Sequence, residues 1–429
     1  MALNDKKTIN GWALYDWANS AYFLVISTAI FPAYFLARTS SKIDIFGMEL
    51  TNSSVFSYAV SLSYLVIVIL SPILSGISDY SGKRMFFLKF FTYLGSISCI
   101  GLSFFSGDSD VWIGITAFML ATIGASGGIV FYNAYLPEIA TEDEYDAVSA
   151  KGFAFGYIGS VLLLVFILFM SLKPLIFGIP EGTTIPYRLG FALVGIWWMG
   201  FAQITFRRLP KDKRTGFSGK VISKGIEEIQ KVFTKVRSNP HLLLFLAAFF
   251  FYSAGVQTVV YLASIFAKKE LMFSTDELII VILILQLVAI IGAYLFAIFS
   301  KKLGNKLSLI IQVIIWAIIA IVAYMVQSKL QFYILAGMVG MVLGGIQSQS
   351  RSAYSKIVES QKNDLTSYFS FYDIVFKISI VVGTFAFGIV NEITGDLRKS
   401  VLSLAFFFVL GLVLLLATNF KKAEEGVKV

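Results

Sequence analysis

The sequence has little of what secreted scaffolds, metal sites and many enzymes depend on. Cys99 is the only cysteine and His241 the only histidine among 429 residues. One cysteine excludes an intramolecular disulfide framework, and these two residues are too few for a structural zinc site. The sequence has no nucleophile–histidine arrangement and no phosphate-binding glycine loop. We therefore expect no metal, no cofactor and no enzymatic activity, and we exclude an ATP-driven pump acting alone.

Charged residues are scarce as well. Only 14% of the residues are charged and 57% are hydrophobic, whereas roughly 25% are charged in an ordinary soluble domain. A soluble chain of this size always exposes a large part of its surface and could not hide so many apolar side chains. The composition predicts an integral membrane protein.

Twelve stretches are long and apolar enough to cross the membrane, since a helix needs about 20 residues to span roughly 30 Å of hydrocarbon. The first carries Asp16 and Asn19 in its first turns, so we interpret it as a retained span and not as a cleavable signal peptide. The predicted fold class is all-α, with twelve transmembrane helices. The predicted spans are 11–37, 54–78, 84–106, 111–138, 150–171, 186–206, 240–266, 276–300, 305–326, 330–357, 365–391 and 396–420.

Lysine and arginine are distributed unevenly between the two sides of the membrane. The segments on the side of the N-terminus hold 25 of the 35 basic residues, the opposite side holds 9, and Lys377 lies inside a span. By the positive-inside rule both termini are cytoplasmic. The net charge of +9 therefore reflects topology, and we expect no nucleic-acid partner. Short termini without targeting extensions favour a bacterial inner (plasma) membrane.

One long basic connection divides the chain. We predict an N-terminal six-helix bundle over 1–206, a cytoplasmic linker over 207–239 and a C-terminal six-helix bundle over 240–429. Apolar residues in the linker recur at helical spacing, which predicts an amphipathic helix at the cytoplasmic surface. It either tethers the chain to lipid headgroups or has a regulatory or partner-binding role. The apolar residues are Ile222, Ile226, Ile229, Phe233 and Val236.

The two halves share landmarks. Residues 81–84 after span 2 have a counterpart in 303–306 after span 8, at an offset of 222, and 127–129 in span 4 match 344–346 in span 10, at an offset of 217. Two landmarks with nearly the same offset indicate a duplication of six spans, which is typical of transporters.

Several motifs now identify a resemblance. Residues 75–84 resemble the signature between spans 2 and 3 of the major facilitator superfamily, with Ser75 in place of the usual glycine and Tyr80 in place of a basic residue. Blocks 12–21, 131–138 and 344–352 resemble the vacuole-effluxer-like branch, whose fungal relatives are associated with release of amino acids from the vacuole. The resemblance implies a pseudo-symmetric 6+6 fold that works as a monomer, with spans 1, 4, 7 and 10 around a central cavity.

Polar residues inside the spans are the candidate substrate and coupling residues, because ionisable groups are costly in hydrocarbon unless they face a cavity or the bundle interior. Asp373 and Lys377 are i, i+4 neighbours that can pair, either permanently or until substrate or a proton competes for one partner. Asp16 either takes a proton or a cationic substrate group, or it is a gate residue bonded to a neighbouring helix. The remaining candidates line the cavity or bond between helices: Asn19, Asn133, Gln257, Tyr261 and Gln347.

A second set of residues is assigned to gating. The resemblance implies that the loop after span 2 latches the two halves together through Asp79, Gly82, Lys83 and Arg84. Lys301 stands where Asp79 would align in the second half, so we expect only one intact latch.

Two further gating candidates lie at the ends of spans 4 and 10. Glu138 can pair with Arg351 or with the neighbourhood of Asp79. Arg351 is interpreted as a gate residue or a contact to anionic lipid, with substrate binding as the alternative.

Together these observations predict a secondary transporter that moves a small solute by alternating access, with membrane lipids around it. The resemblance implies amino acids as substrates, and the carboxylates of Asp16 and Asp373 make protons a candidate coupling ion. Two alternatives stay open: a flippase for a lipid or lipid-linked precursor, and a receptor or scaffold that transports nothing.

Overall fold

The computed structural model describes residues 3–45, 47–212 and 221–428. Among these residues, twelve helical segments are long and apolar enough to cross a membrane, which agrees with the predicted number. Spans 1 to 12 are Lys6–Arg38, Asn52–Ser81, Arg84–Leu102, Asp108–Ile139, Glu142–Leu172, Ile185–Arg208, Pro240–Tyr261, Glu277–Leu303, Asn305–Met325, Lys329–Val358, Leu365–Thr394 and Leu397–Ala417.

Several spans combine more than one helix or extend beyond the segment that is apolar. Span 1 consists of Lys6–Ala21, a π-helical stretch Tyr22–Ile30 and Phe31–Arg38, while span 4 consists of Asp108–Asp110, Val111–Asn133 and Leu136–Ile139. Glu142–Glu144 is a 3₁₀ turn, and the main helix of span 5 runs over Tyr145–Leu172. The helices of spans 7 and 8 are Pro240–Glu270 and Thr275–Leu303.

The connections contain a few short elements. Strands Lys42–Ile45 and Met48–Thr51 form an antiparallel hairpin between spans 1 and 2, and Pro174–Phe177 is a 3₁₀ turn. The linker between spans 6 and 7 contains one helix, Val221–Ser238, called the linker helix below. A C-terminal helix, Phe420–Lys428, follows span 12.

Local sequence explains where many helices begin and end. Asp5 caps span 1 by accepting the Thr8 N–H (2.9 Å), and Asn239 caps span 7 by accepting the Leu242 N–H (3.0 Å). Such caps satisfy backbone donors that have no partner inside the helix. Span 2 ends at Gly82, whose φ of 64° is a left-handed conformation that glycine adopts without steric cost. The sharp turn brings the start of span 3 beside the end of span 2.

Small residues allow close packing within each bundle. A Cβ on Gly124 of span 4 would overlap the backbone of Gly95 in span 3, and a Cβ on Gly344 of span 10 would overlap the carbonyl of Ala289 in span 8. Close backbone approach at small residues is the usual way in which transmembrane helices gain contact area. Alanine at either glycine would push two spans of one bundle apart.

Both chain termini lie on the same side of the protein, called the terminal side below. Asn4 donates to the Thr141 hydroxyl (2.7 Å) between spans 4 and 5, and the Gln361 amide donates to the Val427 carbonyl (2.7 Å). The linker helix lies on this side too, since Lys235 Nζ reaches the same Gln361 (3.1 Å). Hydrogen bonds between the two bundles gather here and form the candidate gate.

Candidate gate and central site

The first junction between the bundles is the Asp79 latch, at the end of span 2. The Asp79 carboxylate is almost fully buried and accepts the backbone N–H groups of Thr366 (3.3 Å) and Ser367 (2.7 Å) in the first turn of span 11. A carboxylate at a helix N-terminus satisfies free backbone donors and complements the helix dipole. Asp79 therefore holds the first bundle against the start of a helix in the second.

Arg84 completes the Asp79 latch. Its Nη1 lies 2.7 Å from Glu138 and its Nη2 lies 3.6 Å from Asp79, while Nε donates to the Thr366 hydroxyl (2.8 Å). Of the two partners considered for Glu138, the structure gives it the neighbourhood of Asp79. Gly82 forms the turn between these groups, and Lys83 is the residue that precedes the span 3 helix.

A second junction, the Asp146 latch, occupies the corresponding position of the second half. Asp146, in the first turn of the span 5 helix, is 3% exposed. It accepts four side-chain donors: Ser300 (2.9 Å), Asn305 (2.7 Å), Ser352 (2.5 Å) and Lys356 (3.0 Å). Two donors reach each oxygen, which fills the acceptor capacity of a carboxylate. All four belong to spans 8, 9 and 10, so this latch also joins the two bundles.

The expectation of a single latch is therefore wrong. It followed from Lys301 standing where Asp79 would align, but the second-half carboxylate comes from the opposing bundle. Lys301 itself forms an exposed ion pair with Glu144 at 3.5 Å. The duplicated contact is kept while the acidic partner has changed sides.

A third junction lies deeper, around Arg351. Arg351 is 3% exposed, and its Nη1 lies 3.1 Å from the Asp16 carboxylate. Its Nε and Nη2 donate to the Ser149 hydroxyl (2.9 Å) and carbonyl (2.8 Å), and Nη1 also reaches Asn133 (3.4 Å). The Tyr132 hydroxyl donates to the same Asp16 oxygen (2.8 Å). This network ties span 10 to spans 1, 4 and 5.

Arg351 and Asp16 also depend on their apolar surroundings. The guanidinium carbon lies 4.7 Å from the Trp12 ring centroid and 4.2 Å from that of Phe153, at the distance of a cation–π contact. A Cβ on Gly152 would lie 2.5 Å from the Asp16 carboxylate and 2.8 Å from Arg351 Nη2. The pair fits because residue 152 has no side chain. Since Arg351 is enclosed by protein, the predicted contact to anionic lipid is wrong in this conformation.

Asp373 and Lys377 of span 11 form the one predicted pair near the middle of the membrane. Their charged groups are hydrogen-bonded, and their side chains are 9% and 4% exposed. At 1.5 Å per residue, Asp373 lies about 12 Å and Lys377 about 18 Å from the start of the span 11 helix. One turn nearer to the terminal side, Ser370 lies 3.1 Å from Ser71 of span 2. The ion pair therefore faces the seam between the bundles.

The other predicted cavity residues are placed less closely together. Gln347 accepts a hydrogen bond from the Tyr157 hydroxyl across the bundles (2.6 Å). Asn19 and Gln257 are buried, and the Asn19 carbonyl oxygen has no hydrogen-bond partner among the described residues. Tyr261 is 42% exposed and neighbours Tyr64 of span 2. These residues do not join the Asp373–Lys377 pair in one hydrogen-bonded network within the described part of the chain.

The helix geometry of span 1 changes along its length. Over Tyr22–Ile30 it is π-helical, and the Phe31 N–H reaches the Ile26 carbonyl five residues back. π-Helical segments are rare and frequent at functional sites. Here the segment begins at Tyr22, whose hydroxyl bonds Thr122 of span 4 at 2.5 Å. No sequence pattern indicated this change of pitch.

The predicted linker helix is present, but its contacts differ from those of a simple headgroup tether. Gly225, Val232 and Val236 are buried against protein, while Ile222 and Phe233 are exposed. The apolar stripe predicted to contact lipid is therefore only partly covered. The packed side overlaps the stripe at Val236 but is centred on Gly225 and Val232, and the helix contacts both bundles.

Two six-helix bundles joined by buried charge networks on the terminal side, with a buried ion pair in span 11, have the architecture of a membrane transporter of the major facilitator type. Comparison with known proteins agrees. The chain superimposes on the crystal structure of the Escherichia coli fucose:proton symporter FucP with a TM-score of 0.65 and 14% identity, covering 96% of this chain and 98% of that one. This likeness confirms the predicted fold.

The family follows from the sequence comparison. The profile described as "Vacuole effluxer Atg22 like" matches residues 4–428, and the chain belongs to this family. It is 30% identical to the uncharacterized MFS-type transporter YxiO of Bacillus subtilis, covering 95% of this chain and 94% of the relative. It is 23% identical to autophagy-related protein 22 of Saccharomyces cerevisiae, covering 98% and 92%. The predicted branch is confirmed.

Proposed function

We propose that this transporter moves small zwitterionic solutes, with amino acids as the first candidates, by alternating access between its two bundles and with protons as the coupling ion. The observation that carries the proposal is the Asp373–Lys377 pair, which is buried at the seam and about 12–18 Å from the start of its helix. Ionisable groups inside a membrane domain are costly and rare, so a buried pair at this place is a candidate functional site.

The pair suits a zwitterion chemically. The ammonium group of an amino acid can take the place of Lys377 beside the Asp373 carboxylate, and the amino-acid carboxylate can take the place of Asp373 beside the Lys377 ammonium. When both exchanges occur together, both protein charges stay paired and neither is left uncompensated in the membrane. Protonation of Asp373 would neutralise one partner and free Lys377 to receive the carboxylate of the solute, which gives protons a route into the cycle.

The contacts at the candidate gate support the proposed change of conformation. The Asp79 latch, the Asp146 latch and the Asp16–Arg351 network all join the bundles on the terminal side. We propose that this side is cytoplasmic, that the protein lies in a bacterial inner membrane, and that it works as a monomer. Transport then requires the three junctions to break together as the bundles rock about the midplane.

Uptake into proteoliposomes tests the proposal. The reconstituted protein receives a pool of labelled amino acids with and without an imposed pH gradient, and Asp373→Asn is compared with Asp44→Asn, an exposed hairpin aspartate. We expect gradient-dependent uptake in the wild type and in Asp44→Asn, and its loss in Asp373→Asn.

Each other outcome changes the proposal in a definite way. Uptake that depends on neither the pH gradient nor the membrane potential would indicate a uniporter. No uptake of any amino acid by folded protein would overturn the substrate class and direct the search to lipids. Normal uptake in Asp373→Asn would remove the ion pair from the mechanism.

A further inference from the structure

The linker helix makes an unusually close contact with the first bundle. It lies along the terminal-side end of span 2, where a Cβ on Gly76 would overlap the carbonyl of Gly225. A Cβ on Gly225 would in turn lie 2.8 Å from the backbone nitrogen of Ile77. So close an approach needs a residue without a side chain at the contact, and here glycine stands on both helices. The position of the linker helix on span 2 is thus set by a filled contact that admits no larger side chain.

The same helix is attached to the second bundle by other residues. Lys231 Nζ lies 3.4 Å from Asp364, Lys235 Nζ lies 3.1 Å from Gln361, and the Phe233 ring is 5.9 Å from that of Phe371 in span 11. These partners all lie around the loop between spans 10 and 11. The linker helix therefore crosses the seam between the bundles.

Two further hydrogen bonds connect this region to the C-terminal helix. The Asn239 side chain, which caps span 7, also donates to the carbonyl of Ala423 in the C-terminal helix (2.6 Å). Gln361 donates to Val427 of the same helix (2.7 Å). The end of the linker helix is thus fixed to the second bundle by covalent continuity and by hydrogen bonds.

The crossing lies directly over the Asp79 latch. A cavity of about 370 Å³ is lined by Asp79 and Tyr80 of span 2, by Glu228 and Lys231 of the linker helix, and by Asp364. The helix covers the latch from the terminal side. Any separation of span 2 from span 11 must pull the linker helix off one of its two supports.

We propose that the linker helix is a clamp that travels with the second bundle and docks on span 2 only while the terminal side is closed. It stabilises the closed gate through the Gly76–Gly225 contact and releases that contact when the gate opens. The inference rests on the proposed rocking of the bundles, but its test needs no substrate.

The test uses a thiol at the gate, here called the gate probe: Ser348→Cys in a Cys99→Ala background. Ser348 is buried, and its carbonyl accepts the Ser149 hydroxyl across the seam (2.8 Å), so the thiol reacts with a maleimide only when the gate opens. Adding Gly225→Leu forces a side chain into the filled contact. We expect labelling of the gate probe to accelerate by about ten-fold, as for an overpacked site.

A matched glycine provides the control. Gly200 in span 6 has open space where a Cβ would be, so Gly200→Leu should leave the labelling rate unchanged. Phe233→Ala, which removes the ring contact to span 11, provides a second variant that does not overpack the helix, and it should also accelerate labelling. Unchanged labelling in both linker variants, each monodisperse in size-exclusion chromatography, would overturn the clamp.

Spin-label distances separate a moving clamp from a static brace. One pair, Tyr80→Cys with Lys224→Cys, measures the linker helix against span 2, and the other, Lys224→Cys with Lys362→Cys, measures it against the second bundle. In the Gly225→Leu background we expect a longer second population for the first pair and a single distance for the second. Lengthening of the second pair alone would mean that the helix stays with span 2 and would contradict the proposal.

Discussion

The Asp79 and Asp146 latches occupy matching places in the two halves and are built in different ways. Asp79 receives two backbone N–H groups from span 11 and shares Arg84 with Glu138. Asp146 receives only side chains, four of them. In one latch the carboxylate lies at the end of the second span of its half, just before the turn. In the other it lies on the helix that faces that turn.

The comparison shows what a duplicated gate must conserve. Both latches have a buried carboxylate between the turn and the opposing helix. The helix that provides this carboxylate differs between the two latches. The difference also has an energetic consequence. Loss of Asp146 would take the carboxylate partner from Lys356 and an acceptor from two buried serines, Ser300 and Ser352. Loss of Asp79 would leave Arg84 bonded to Glu138, Thr366 and a backbone carbonyl.

Asp146→Ala should open the gate most. It removes the carboxylate partner of Lys356, whose side chain is 21% exposed, and an acceptor of three neutral donors. We expect a cost of about 2 kcal/mol, or about 30-fold in the gate equilibrium. The gate probe should therefore label about 30-fold faster. Asp143→Ala, an exposed acid one turn earlier, is the control. Equal labelling in the two variants would mean that Asp146 does not stabilise the closed gate.

Asp79→Ala should have the smaller effect of the two latch variants. Two backbone N–H groups lose an acceptor, but Arg84 keeps Glu138 at 2.7 Å. We expect a loss of about 1.5 kcal/mol and labelling about ten-fold faster. If Asp79→Ala exceeded Asp146→Ala, the proposed difference between the latches would be inverted.

Acid should tighten the clamp over the Asp79 latch. Burial, with the neighbouring carboxylate of Glu228 and the charge of Asp79, raises the pKa of Asp364 from its ordinary 3.8 to about 6, against the opposing effect of Lys231. The cavity also holds Lys235 and Lys362. Glu228 and Lys231 belong to the linker helix and stay beside Asp364 when the clamp leaves span 2, so docking adds only the burial and the charge of Asp79. Both raise the pKa, so docking is favoured below the raised pKa and weakened as the pH rises through about 6.

The measurement for this prediction is the pH dependence of gate-probe labelling, corrected for thiol reactivity with an exposed model thiol. Labelling should slow between pH 7.5 and pH 5.5, as the pH falls through the raised pKa of Asp364 (about 6). Asp364→Asn should remove most of this dependence. An unchanged profile in Asp364→Asn would assign the dependence to another group.

Lys301→Ala should have the smallest effect. Lys301 aligns with Asp79, yet its ion pair with Glu144 is 65% and 37% exposed, and exposed pairs contribute less than about 1 kcal/mol. Labelling of the gate probe should change by less than about three-fold. A change as large as that of Asp146→Ala would show that the aligned position, and not the opposing helix, carries the second latch.

The sequence predicts those parts of this molecule that depend on local pattern. Hydropathy places the twelve spans within a few residues, and i, i+4 spacing predicts the Asp373–Lys377 pair. Asp146 was missed because the apolar stretch of span 5 was taken to begin at 150, while the helix begins at Tyr145. The partners of Asp146 lie between 154 and 210 residues away, so no local spacing connects them.

The linker helix shows the same limit. Its apolar stripe predicts a helix correctly, but the stripe does not reveal the side that packs. That side centres on Gly225, which in a helix indicates only weaker intrinsic stability. Gly225 packs against Gly76, which lies about 150 residues earlier in the chain. Only the tertiary structure brings these two glycines together.

The most direct test of this mechanism asks whether solute binding at the Asp373–Lys377 pair changes the opening of the gate. The gate probe is labelled with and without the amino-acid pool, in the wild-type background and in Asp373→Asn. Alternating access through the Asp373–Lys377 pair predicts that the pool changes the labelling rate several-fold in the first and leaves it unchanged in the second. A pool that changes labelling equally in both backgrounds would contradict the assignment of the solute site to span 11. A pool that changes neither would contradict amino acids as the solute.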